Sequence, residues 1–151
     1  MHITVFRKIF SYRISNIWEE PLWLLIELCM AVVKNEDSGR VNFPDEPGNR
    51  IFEFERHETD RKMLWMSFYA DDEIHEDDKE PEDEPEICME MTYQELGDRL
   101  YHMIDRQHSL HKLKSYRMGR KRFPLEEFLE LRELWLARDI EDYPKNYSEY
   151  D

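Results

Sequence analysis

Between Ile51 and Met91 the chain carries the pattern that most restricts its fold. Phe52 and Phe54 alternate with Glu53 and Glu55, a polar cluster runs from Glu58 to Arg61, and Met63 to Tyr69 returns as a dense apolar segment. A period of two puts both phenylalanines on one face and both glutamates on the other, as in a strand with one wet side. The turn residues between the segments predict an antiparallel hairpin, and a second segment apolar on both faces belongs inside a sheet. Glu86 to Met91 adds another strand, with Ile87, Met89 and Met91 facing one way and Cys88 and Glu90 the other.

The flanks read as follows. Ile3 to Phe10 is rich in β-branched and aromatic residues and predicts a first strand. Asn16 with Glu19 three residues on has the form of a capping box. Pro21 near the first turn and Leu22, Leu25, Ile26, Cys29 and Val33 at helical spacing then predict a helix that ends between Asn35 and Gly39. Residues 40–50 read as a loop holding at most a short strand at Val41 to Phe43. Thr92 opens a second helix, with Glu95 completing a capping box and Leu96, Leu100, Met103 and Ile104 as its stripe; it is expected to fray after Gln107. Arg117 to Arg122, interrupted by Gly119, is a basic connector. Pro124 starts a last helix, whose Leu125, Phe128, Leu129, Leu131, Trp135 and Leu136 make a wide apolar face.

This order predicts an α+β domain, a mostly antiparallel sheet of about four strands with three helices mainly on one face. It spans residues 1–138, interrupted by an acidic loop at 71–86 and followed by an acidic, tyrosine-containing tail at 139–151. A chain of 151 residues suits one domain, and such a domain buries roughly 70% of the surface its unfolded chain exposes. Cys29 and Cys88 are the only cysteines, too few for a disulfide framework or a zinc site, and they suit a reduced cytoplasmic setting. Leu22 to Val33 holds Glu27 and is too short to span a membrane. Glu19 and Glu20 before it are wrong for a secretion signal.

Charge supplies the main functional signal. The net charge is −14, unevenly spread: residues 71–86 carry eleven acids and one base, whereas residues 99–122 carry one acid and eight bases. Pro81 and Pro85 keep the acidic run out of regular structure. It reads either as a solvated connector or as a lure for a basic protein, since closely spaced carboxylates imitate a phosphate chain and accelerate association. Its spacing does not match a calcium-binding EF-hand loop, since the run has no glycine for the sixth position.

His102, Asp105, His108 and His111 recur every three residues, so adjacent pairs share a helix face but all four do not. They lack the His-Glu-x-x-His pattern of zinc hydrolases, and histidines at a helix end account for them equally well. The basic segment Arg99 to Arg122, densest over 112–122 and with Tyr101 and Tyr116 available for stacking, is a candidate phosphate or nucleic-acid contact. It also serves to neutralise the chain's own acids, and the net charge opposes nucleic-acid binding. No nucleophile elbow and no phosphate-binding glycine loop is present, and Cys88 between Ile87 and Met89 reads as inert core. No cofactor is implied.

Trp18 and Pro21-Leu22 opening the first helix, Glu46-Pro47-Gly48 before the hairpin, and Phe123-Pro124-Leu125-Glu126-Glu127 opening the last helix give a layout that resembles small acidic bacterial proteins of the toxin-immunity type. The resemblance implies a cytoplasmic, non-enzymatic inhibitor that covers the basic active site of a toxin, such as a nuclease. The candidate contact residues are Asp71, Asp72, Glu76, Asp77, Asp78, Glu82, Asp83 and Glu84, with Tyr69 as an aromatic anchor. The alternatives are a small metal-dependent enzyme using His102 and His108, and a regulatory nucleic-acid binder using Arg117, Arg120, Lys121 and Arg122.

Overall fold

The computed structural model describes residues 2–5, 8–11, 21–45, 48–71 and 84–138. The fold is α+β. Its centre is an antiparallel sheet in the order β3 (Ser38–Asp45), β4 (Gly48–Arg56), β5 (Met63–Asp71) and β6 (Ile87–Thr92). Phe54 lies opposite Met66, which lies opposite Met89, and Phe52 opposite Phe68, which lies opposite Ile87. This register puts every large apolar residue of the alternating pattern on one face. Phe43, Phe54, Leu64 and Phe68 are fully buried there.

Two strands differ from the sequence reading. The loop expected at residues 40–50 is mostly strand, because β3 pairs with β4 along its full length from Ser38↔Glu55 to Asp45↔Gly48. Pro44 is compatible with this because β3 is an edge strand, where a missing N–H costs no ladder bond. The single strand expected over Ile3 to Phe10 is two, β1 (His2–Val5) and β2 (Lys8–Ser11), which pair with each other from His2↔Ser11 to Val5↔Lys8 in a separate two-stranded sheet. The four strands of the main sheet therefore all follow the first helix.

Helix α1 (Pro21–Val33) buries Leu24, Ile26, Leu28, Cys29 and Val32, and its neighbours are α2 (Tyr93–His111), α4 (Leu125–Ala137) and β3. Burial on most sides explains a sequence that is apolar nearly all round. The proposed cap at Asn16 and Glu19 lies outside the described residues. The helix ends in a Schellman turn. Asn35 takes φ 55°, its N–H donates to the carbonyl of Val32 at 3.0 Å, and the Glu36 N–H donates to that of Ala31 at 3.0 Å. Cys29 is fully buried against α2; its thiol points at the Gly97 carbonyl at 3.8 Å, and burial pushes its pKa up to about 12.

Thr92 caps α2, its hydroxyl accepting from the Glu95 N–H at 3.0 Å. The Glu95 carboxylate pairs with Arg99 at 2.7 Å. The helix does not fray after Gln107 but continues to His111, after which Lys114–Arg117 form a fourth, one-turn helix, α3. Helix α4 packs on α1 and α2. Phe128 and Leu131 are buried and Trp135 partly so, whereas Leu125, Leu129 and Leu136 of the expected apolar face are exposed. Trp135 stacks on Tyr101 with ring centres 4.0 Å apart, and its indole N–H donates to Asp98 at 3.1 Å. Arg138 donates to the same carboxylate and lies over the Trp135 ring. Among the described residues no helix is long and apolar enough to cross a membrane.

Candidate interaction surface

The face of the sheet opposite the core is built by the residues that alternate with Phe52, Phe54, Leu64, Met66 and Phe68. One row across the strands is Arg40, Glu53, Ser67 and Cys88, and the next is Ser38, Glu55, Trp65 and Glu90. Trp65 is 42% exposed, although the segment around it is among the most apolar in the chain. Its direct neighbours on either side are the carboxylates Glu55 and Glu90, both exposed.

His57, just beyond the end of β4, braces this group. Its Nδ1 lies 3.3 Å from the Thr59 N–H, which can only donate, so the ring's proton sits on Nε2. Nε2 faces the Glu90 carboxylate at 3.5 Å, and the ring lies 5.7 Å from that of Trp65. The indole is therefore held beside an imidazole and between two acids at an exposed part of this face, while Ile51 and Ser67 further along it are buried.

Tyr69, proposed from the sequence as an anchor, is half-buried on the same face, opposite Ile51 and one row from Glu53. Burial, and then the Glu53 carboxylate, push its hydroxyl above the ordinary tyrosine value. Asp71 ends β5 opposite Asn49, and Glu84 is exposed shortly before β6. Both ends of the acidic run thus leave the sheet at the end that carries Tyr69. Asp72, Glu76, Asp77, Asp78, Glu82 and Asp83 lie outside the described residues.

The histidines of α2 are surrounded by rings. His102 meets Tyr101 and Trp135 edge-on, with ring centres 5.6 and 5.5 Å away. His108 lies 5.0 Å from Phe123 and 4.7 Å from Phe128, and burial followed by the nearby Lys112 charge lowers its pKa. His111 donates from Nδ1 to the Gln107 carbonyl at 2.9 Å and meets the Tyr116 ring edge-on. Among the described residues no three His, Cys, Asp or Glu side chains are grouped to hold a metal ion.

Sequence reasoning missed Trp65. Placing Leu64, Met66 and Phe68 on the core face assigns Trp65 to the face of Glu53, Glu55 and Glu90, so the alternation held the signal. The density of apolar residues around it concealed which side it took. Comparison with protein-family models, curated proteins and solved structures finds no match to this chain.

Proposed function

We propose that this protein is a non-enzymatic interaction domain that binds a basic protein through the outer face of its sheet, with the acidic run of residues 71–86 guiding the approach. The observation that carries this reading is Trp65, 42% exposed and flanked across the strands by Glu55 and Glu90. An indole on a flat face is a large, rigid anchor, and Trp and Arg dominate binding energy at protein interfaces. Carboxylates beside it select a cationic partner and form charge-assisted bonds with its arginines and lysines. Tyr69 extends the anchor toward the acidic run, where Asp71, Asp72, Glu76, Asp77, Asp78, Glu82, Asp83 and Glu84 supply the long-range field. The finer reading is an inhibitor of a basic toxin, such as a nuclease, held in the cytoplasm. The aromatic surroundings of His102 and His108 lend no geometry to the metal-enzyme alternative.

The test is affinity capture from the source cells with three baits, namely wild type, Trp65→Ala, and a chain whose acids at 71–86 are changed to their amides. A basic protein retained by wild type and lost with Trp65→Ala supports the reading. Trp65→Ala should weaken the purified pair by about 30-fold or more, the loss of an interface hot spot. The amide chain should slow association at low salt. A partner that ignores both changes sinks the proposal.

A further inference from the structure

A second feature lies at the other charge extreme of the chain and is independent of the sheet face. The last turn of α2, the one-turn α3 and the segment leading into α4 enclose a cleft of about 440 Å³. Lys112, Arg117, Arg120, Lys121 and Arg122 all line it, together with His111. Gly119 makes this convergence possible. It adopts φ +76°, a conformation that favours glycine, and reverses the chain between Arg117 and Arg120. No atom lies within 4 Å of where its Cβ would be, so backbone conformation, not space, calls for glycine there.

Among the described residues none of these five cations is in an ion pair, in a chain of net charge −14. Packed this closely they repel one another, and a bound anion or screening salt relieves that repulsion. The walls are already ordered. The Arg120 guanidinium lies 3.9 Å over the Tyr116 ring and donates to the Tyr116 carbonyl, and the Tyr116 hydroxyl donates to the Gln107 side chain at 2.6 Å. His111 is fixed through Nδ1, which donates to the Gln107 carbonyl. Phe123 is buried beneath, packed on His108 and Phe128, and makes a rigid floor.

We propose that this cleft binds a compact polyphosphate group, the di- or triphosphate of a small soluble ligand. Five cations exceed what one phosphate neutralises, and the volume exceeds what one phosphate fills. Planar guanidinium forks and lysine ammonium groups suit phosphoryl oxygens. An extended nucleic acid is a poorer fit. Glu126 and Glu127 follow Leu125 directly in the first turn of α4, so a long polyanion leaving the cleft meets carboxylates. Phe123 is buried and a face of Tyr116 is taken by Arg120, which leaves little aromatic surface for a base.

The experiment is calorimetric titration of the full chain with inorganic triphosphate, with orthophosphate and with single- and double-stranded oligonucleotides, each at low and physiological salt. Triphosphate should bind one to one and far more tightly than orthophosphate. The double variant Lys121→Ala, Arg122→Ala should weaken it by about 100-fold, roughly tenfold for each charge-assisted bond lost. Both side chains are exposed, so the variant should fold as wild type does, with circular dichroism as the check. Lys114→Ala removes one charge from α3, half of what the double variant removes, without touching the cleft and should change affinity by less than about threefold, against roughly tenfold for each cleft cation. No heat with triphosphate at low salt overturns the proposal. So does a loss of about tenfold on Lys114→Ala, as large as each cleft cation contributes, which would mean diffuse attraction, or an oligonucleotide that binds more tightly than triphosphate, which would assign the segment to nucleic acid.

Discussion

Gly39 offers the sharpest test of the packing. It lies opposite Phe54 in the β3–β4 pair, and a Cβ added there would stand 2.4 Å from the Phe54 Cε1 and 3.0 Å from Cζ. Carbon atoms in good contact are about 3.5–4.0 Å apart, so the ring must withdraw by roughly 1 Å. It has little room, because it is 1% exposed and packs edge-on against Tyr93 at 5.8 Å. Tyr93 is itself held by its hydroxyl on the Glu36 carbonyl at 2.6 Å and by the Arg56 guanidinium 4.6 Å from its ring. Overpacking of this kind costs about 1–3 kcal/mol, and the rigid backing places it near the upper end. Restricting the unfolded chain returns about 0.4–1 kcal/mol, so Gly39→Ala should destabilise by about 2 kcal/mol. At this chain length that lowers Tm by about 4–8 °C. Urea denaturation followed by circular dichroism measures the loss, with an unchanged m-value as evidence that the folded state persists. Phe54→Leu removes the obstructing ring, so in that background Gly39→Ala should cost at least about 1 kcal/mol less. A neutral Gly39→Ala, or the same cost in both backgrounds, would refute the close approach of the ring.

Two further outcomes follow from side chains that join elements. Asp98→Ala leaves the Trp135 indole N–H and the partly buried Arg138 without their shared acceptor, and should cost about 2–4 kcal/mol by denaturation, whereas Asp98→Asn should cost less; an Asp98→Ala chain as stable as wild type would remove this carboxylate as the tie between α2 and α4. The His108 pKa is lowered from 6.5 in the fold, so below 6.5 the unfolded chain takes up a proton more readily. Its contribution is complete above 6.5 and is lost as pH falls toward the lowered folded value. As pH drops through this window the stability of wild type should therefore fall more steeply than that of His108→Leu, and parallel profiles would contradict it.

Signals confined to a few neighbouring residues were legible in the sequence. The alternation of Phe52, Phe54, Glu53 and Glu55 defined a strand and its two faces. Thr92 with Glu95 defined a helix start, because a cap is satisfied by N–H groups two or three residues away. The order of the main elements and the α+β class follow from such signals. Residues 38–45 did not read as a strand because Gly39 and Pro44 break the local pattern. Their strand exists because β4 offers a free edge and the Phe54 ring covers the glycine.

The candidate sites divide along the same line. The sequence placed the acids, the bases and the histidines in order along the chain. Only tertiary structure set Trp65 between Glu55 and Glu90, residues from three strands, and only it folded Lys112 to Arg122 around one cleft. It also left Leu125, Leu129 and Leu136 exposed, because α4 meets α1 and α2 along a single side, a limit that the helical period does not contain. Local chemistry thus determined the elements and their charge, while the pairing of distant segments decided which side chains meet and which face water. That pairing depends on shapes and contacts far apart in the chain, which no short stretch of sequence specifies.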